Sequence, residues 1–206
     1  VTINRDTTLH WMQLFTAQID EHRQELIRLD TAIGDGDHGT NMNRGMQKAL
    51  ERLQAADQAD PAAVLKTVAM ALISSVGGAA GPLYGTLFLQ LGTALTGHTE
   101  VDLPTYAAAW RKSVEGVQSR GKAQAGDKTM VDALLPAVDA LEQSSDLNAG
   151  LRAAADAAEQ GMLATVPLIA RKGRASYLGE RSADHQDPGS TSTYYLFESA
   201  AAAFTS

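Results

Sequence analysis

The sequence predicts an all-α protein of eight antiparallel helices, and three observations carry that prediction. Apolar residues recur at three- and four-residue intervals along most of the chain, while the alternation of a half-buried strand is missing. Alanine is abundant and aromatic residues make up only 5%, a mix that favours packed helices. The connections between periodic segments are mostly short, and short connections join antiparallel neighbours.

The first predicted helix runs from about Asp6 to Leu29, with Met12, Phe15, Ile19, Leu26 and Leu29 on one face. The second opens near Gly39 and carries Met42, Met46, Leu50 and Leu53. Asp60-Pro61 pairs an N-cap with proline at the first helical position, so the third starts there and continues through Val64, Leu65, Val68, Leu72 and Ile73. Gly77–Pro82 interrupts it, and Leu83, Leu87, Leu91 and Leu95 mark the fourth. The fifth begins near Asp102, with Tyr106, Trp110, Val114 and Val117. The sixth opens at Thr129 and contains Pro136; the seventh, from about Asn148 to Ala170, contains Pro167; the eighth follows Ser190 through Tyr194, Phe197 and Phe204.

Composition narrows the function. A chain of 206 residues can bury a sizeable core, and no repeat, low-complexity tract or linker divides it, so residues 1–206 are read as one domain. The net charge of −7 argues against nucleic acid and anionic membrane as partners. Without cysteine there is neither disulfide nor thiol chemistry, which fits a cytoplasmic protein. No apolar run approaches a membrane span, and the first residues lack a signal-peptide pattern.

The connections differ by parity. Those after the second, fourth and sixth helices are bland, whereas those after the first, third, fifth and seventh hold the unusual chemistry. Alternate connections in an antiparallel arrangement share an end, so four loaded loops are expected at one rim.

The first loaded loop places Asp30, Asp35 and Asp37 around Gly34 and Gly36, before His38-Gly39-Thr40-Asn41. Glycine turns can bend the three carboxylates toward one point, and converging carboxylates call for a hard divalent cation. An Asp-rich capping turn is the plain alternative; an EF-hand fits poorly, because Thr40 stands where its glycine is required. His38 to Asn41 reads as a helix start, whose free amides attract anions. Gly77–Pro82 either brings backbone amides to a phosphate or is a glycine-rich helix–helix turn; it matches no nucleotide fingerprint. In the third loop, which holds Lys122 and Lys128, a lysine or Thr129 reads as a phosphate contact and Met130 as a surface for a base, with Asp127 or Thr129 as a simple cap. The fourth, Arg171 to Gly189, is long and basic: an ordered lid over an anion, or a disordered segment.

Taken in order, Asp30-x4-Asp35-Gly-Asp37-His-Gly-x-Asn41, Ser74–Gly85, Ser119-Arg-Gly-Lys122, Gly126-Asp-Lys-Thr-Met130, Arg171–Arg181 and His185–Gly189 resemble the nucleotide-binding L subunit of dihydroxyacetone kinases. The resemblance implies an eight-helix up-and-down barrel with a nucleotide at one rim. It implies that Asp30, Asp35 and Asp37 hold two Mg²⁺ ions, and that His38, Gly39, Thr40, Asn41, Ala79 and Ala80 contact phosphates. Gly121, Met130, Arg174, Asp187, Pro188 and Gly189 would line the rest of the pocket. Ala80 stands where some relatives carry serine, leaving only a backbone contact there.

The implied activity is phosphoryl transfer from a bound nucleotide, ADP once rephosphorylated or ATP, to dihydroxyacetone held on a separate K subunit. A phosphotransferase-system protein would recharge the nucleotide. Alternatives are an ATP-dependent kinase subunit for another small ketose, and a non-catalytic Mg-nucleotide sensor.

Overall fold

The computed structural model describes residues 2–205, without the side chain of Thr205. Among the described residues are nine α-helices, a 3-10 helix and a short antiparallel ribbon. The ribbon pairs β1 (Ile3–Asn4) with β2 (Glu100–Val101), Ile3 opposite Val101. The helices are α1 (Arg5–Glu21), α2 (Arg23–Ile33), α3 (His38–Ala55), α4 (Pro61–Ser75) and α5 (Ala80–Ala94). They continue as α6 (Leu103–Gly121), α7 (Val131–Glu142), α8 (Leu147–Ala164) and α9 (Pro188–Thr205), with the 3-10 helix at Arg174–Ser182.

From α3 to α9 each helix packs on the next, and α1 closes the ring by packing on both α9 and α3. The all-α expectation and the antiparallel ring therefore hold. The ring encloses one continuous core, with Trp11 at its centre. The Trp11 ring lies 5.8–6.2 Å from those of Phe88, Trp110 and Phe204, and its Nε1 donates to Leu196 O at 3.0 Å.

Local signals set most starts. Asp60 and Asp102 accept from Ala63 N and Thr105 N, each ahead of a proline in the first turn. Asn4 caps α1 in a reciprocal box with Thr7.

Three expectations need correction. The first predicted helix is two, broken at His22, so nine α-helices stand where eight were read. The His22 ring stacks on Tyr195 of α9 at 4.4 Å, and Glu25 Oε2 accepts from the Tyr195 hydroxyl at 2.8 Å and pairs with His22 Nδ1 at 3.2 Å. The seventh predicted helix ends at Ala164 rather than Ala170, because Pro167 disfavours helical backbone in the residue before it. The sixth starts at Val131, two residues late, because Asp132 turns back to accept from Gly126 N and Thr129 N.

Candidate nucleotide and metal site

The loaded loops share a rim. A cavity of about 1050 Å³ is lined by Asp30, Asp35, Asp37 and His38; by Gly77 to Ala80; by Gly121 and Lys128 to Val131; and by Lys172 to Ala175 with Asp187 to Gly189. Two of the three bland connections, at Asp57 to Ala59 and Gly97 to Glu100, line a separate shallow polar groove with Asn4 to Asp6. Asp35, Gly78, Gly121 and Arg174, one from each loaded loop, all line the first cavity.

Asp30 sits in the last turn of α2, only 9% exposed, and its Oδ2 accepts from Asp37 N at 2.8 Å and His38 N at 3.0 Å. One carboxylate thus ties the end of α2 to the start of α3, where Asp37 offers no side-chain cap of its own. Gly34 allows the approach: a Cβ there would stand 2.1 Å from Asp30 Oδ1. Gly36, at φ +75°, supplies the turn. Asp30, Asp35 and Asp37 each offer an oxygen, all within 4.8 Å of one another. Burial raises the Asp30 pKa against the two amide bonds that lower it, and the charges of Asp35 and Asp37 raise it further. An all-oxygen, mutually repelling set of this size fits a hard divalent cation such as Mg²⁺. Arg174, on the lid, donates from Nε to Asp35 Oδ2 at 2.8 Å, with its side chain 68% exposed.

The other predicted residues divide. Ala79 and Ala80 line the cavity at the start of α5, which has no side-chain cap, so its first amides are free for an anion. Gly121, Met130, Asp187, Pro188 and Gly189 also line it. Gly39, Thr40 and Asn41 are not among its lining residues. Gly39 has a packing reason, since a Cβ there would lie 2.3 Å from Arg23 O. Asn41 Oδ1 accepts from Arg44 at 2.7 Å, and Arg44 reaches on to Ser75 O at the end of α4. Lys128, expected at phosphate, instead gives its ammonium to three backbone carbonyls.

Sequence reasoning missed a buried polar chain. His38 Nε2 lies 2.9 Å from Ser192 Oγ, and the Tyr84 hydroxyl lies 2.7 Å from Ser192 Oγ and 3.2 Å from Thr193 Oγ1. Ser192 and Thr193 both donate to Gly189 O. Burial drops the His38 pKa to about 4, so this histidine is neutral at physiological pH, and burial pushes the Tyr84 phenol up to about 12. No local signal marks Tyr84 or Ser192, since both occupy ordinary helical positions.

Asp187 caps α9, with Oδ2 accepting from Ser190 N at 2.6 Å. Burial pushes its carboxyl up to about 7; the Ser190 amide and Lys128 oppose the shift, and Asp132 and Asp30 add to it. Such a group keeps its proton where the unfolded chain, with pKa about 3.9, has lost it. Stability therefore falls as pH rises from about 4 to about 7 and levels off above. Asp187→Asn keeps an acceptor for Ser190 N without the charge. The variant should melt above the unmutated protein at pH 8, by a margin that shrinks toward pH 4. A margin independent of pH would remove Asp187 as the titrating group.

With the geometry in place, comparison with known proteins is decisive. The DAK2 domain matches residues 32–202. The chain belongs to the DAK2 domain family. It is 43% identical over 202 residues, 96% of each chain, to the ADP-binding subunit DhaL of the PEP-dependent dihydroxyacetone kinase of Escherichia coli. It is 43% identical over 193 residues, 94% of each, to the ADP-binding DhaL subunit of the PTS-dependent enzyme of Lactococcus lactis. The dihydroxyacetone kinase of C. freundii, solved in complex with AMP-PNP and Mg²⁺, matches with a TM-score of 0.75 and 26% identity. That match covers 98% of this chain and 34% of the solved one, so the DAK2 chain spans about a third of that kinase. The family resemblance read from the motifs is borne out, and with it the assignment to kinase subunits, which are phosphotransferases. Among the described residues no helix is long and apolar enough to cross a membrane.

Proposed function

We propose that this chain is the nucleotide-holding subunit of a cytoplasmic dihydroxyacetone kinase, a single domain that acts on a ketone bound by a separate K subunit. In this reading a phosphotransferase-system protein recharges its ADP. The observation that carries the proposal is the convergence of four loops on one cavity, with three carboxylates on one side and the uncapped start of α5 on another. The names of the 43%-identical relatives support the same reading.

Bound Mg-nucleotide would supply the chemistry: its terminal phosphoryl group would pass to a hydroxyl oxygen of the ketone, the bridging oxygen leaving with the shortened nucleotide and the hydroxyl proton going to solvent. Such a transfer needs positioning and charge neutralisation more than covalent help from the protein. Asp30, Asp35 and Asp37 would hold two Mg²⁺ ions, and Asp30 would also keep the cluster registered against α3. The amides of Ala79 and Ala80 would take phosphate oxygens. In the first turn of α3, Asp30 takes the amides of Asp37 and His38, and Asn41 N bonds Asp37 O. That leaves the amides of Gly39 and Thr40, which do not line the cavity, as the only ones in that turn that a phosphate would find unbonded. Arg174 would neutralise phosphate charge from the lid, while Gly121, Met130 and the Asp187-Pro188-Gly189 turn would line the remainder.

Two measurements test the proposal. Denaturing the purified protein should release ADP, and the isolated chain with ATP and dihydroxyacetone should show no steady turnover until a K subunit and a phosphotransferase-system donor are added. Steady turnover by the chain alone would refute the divided site. Exchange of labelled ADP within seconds in Mg²⁺ buffer would favour an ATP-exchanging kinase subunit.

A further inference from the structure

Lys128 is the most deeply buried cation beside the cavity, with 1% exposure, and the charges of Asp187 and Asp184 act on it from beyond ion-pair distance. Among the described residues no carboxylate comes within 4.0 Å of it. Its Nζ instead donates to Val166 O at 3.2 Å, Leu168 O at 2.9 Å and Ser182 O at 2.6 Å. An ammonium has three protons, so none is left for a phosphate. Burial lowers the lysine pKa and the charges of Asp187 and Asp184 only partly oppose it, a cost that a structure bears where the group is fully hydrogen-bonded.

The three carbonyls lie at the two ends of one loop. Val166 and Leu168 precede the lid and Ser182 ends its 3-10 helix, so the ammonium closes the neck of the loop. Other bonds follow the same line. Asp184 N donates to Val166 O at 2.8 Å, Ala170 N to Ser182 Oγ at 2.8 Å and Arg171 N to Asp127 O at 3.0 Å. The backbone gives an independent sign. Lys128 has φ +63°, a conformation that a residue with a long side chain adopts at a cost of about 1–3 kcal/mol. Beyond the neck, Arg174 and Tyr177 stand out at the mouth of the cavity, the tyrosine 87% exposed.

We propose that Lys128 is a positioning residue that fixes the neck of the lid, holding Arg174 over the cavity and setting how long a nucleotide stays bound. It acts without touching nucleotide, through the carbonyls of Val166, Leu168 and Ser182. The residence-time part rests on the nucleotide-holding reading above; the clamp itself does not.

Because the chain has no cysteine, the ammonium can be removed and restored at one position. Lys128→Cys, alkylated with bromoethylamine in denaturant and refolded, regains an ammonium at nearly the original reach. The unmutated chain taken through the same cycle is the control, and Lys128→Gly, which suits the positive φ, covers a cysteine variant that fails to fold. In nucleotide-free protein, hydrogen exchange at Ala170, Ala183 and Asp184 should quicken about tenfold or more in Lys128→Cys and Lys128→Gly, with exchange in α3 to α7 unchanged. Aminoethylation should restore the slow rate. Labelled ADP should leave both variants about tenfold faster in Mg²⁺ buffer with little change in association, since loss of an anchor acts mainly on the off-rate. Unchanged lid exchange in both variants would overturn the clamp, whatever the nucleotide does. Quickened exchange with unchanged ADP release would overturn its link to residence time. An unmutated protein that binds no ADP would overturn the nucleotide reading and that link together, while lid exchange still decides the clamp.

Discussion

Asp35→Ala and Asp37→Ala are each expected to weaken Mg-dependent nucleotide binding about 100-fold or more, a larger loss than outer-shell partners of a metal give. The helical fold should survive, because the two carboxylates do little for it. Asp37 makes no side-chain cap at the start of α3, and the polar contact of Asp35 is the exposed pair with Arg174. An exposed pair of this kind contributes little to stability. Their removal also relieves the repulsion that raises the Asp30 carboxyl. Asp30 is the wrong residue for this test, because it bonds two backbone amides and its loss would loosen the start of α3. Calorimetric titration of ADP with Mg²⁺ and with chelator reads the effect, and far-ultraviolet circular dichroism checks the helices. Affinity equal to that of the unmutated protein would remove the metal site.

Gly39→Ala is expected to cost about 3 kcal/mol of folding stability, the upper part of the usual range for overpacking, and to weaken nucleotide binding as well. The added Cβ would meet Arg23 O at 2.3 Å and Ile27 N at 3.0 Å. Those are backbone atoms, so no rotamer change relieves the clash, and α2 must move away from α3. Asp30 moves with α2, which carries the metal cluster away from the helix start it is bonded to. For a chain of this size such a loss lowers the unfolding temperature by about 6 to 12 °C. Gly77→Ala is the contrast, since a Cβ there has ordinary contacts, nearest Asn41 Nδ2 at 3.7 Å. Equal stability of the two variants in urea denaturation would show that the helix contact is not the constraint.

The site was partly legible because its loops carry their own chemistry. Three aspartates in eight residues, a glycine-rich break and a long basic segment are local facts, and parity alone sent them to one end of the ring. The glycines were read less well. Gly36 is a positive-φ turn residue, but Gly34 and Gly39 are needed for close approach to Asp30 and Arg23. Spacing cannot separate those reasons, because the second depends on what lies opposite. Lys128 misled in the same way. A lysine beside a predicted phosphate site reads as a phosphate ligand until the carbonyls of residues 166, 168 and 182 are seen to hold it.

What the sequence determined by itself was the all-α class, the starts at Asp60 and Asp102 and the division of the connections into bland and loaded. Periodicity and capping act over one or two turns, so they are written where they operate. The tertiary structure decided the rest through partners far along the chain. His22 breaks the first helix where it stacks on Tyr195, beside a Glu25–Tyr195 bond that spans 170 residues. His38 is held neutral against Ser192, 154 residues away, and Ser192 in turn meets Tyr84 across 108. Only closure of the ring, α9 against α1, brings those groups within bonding distance. The charge and hydrogen-bonding role of a buried side chain follow from its neighbours in space, and there the order of the residues is silent.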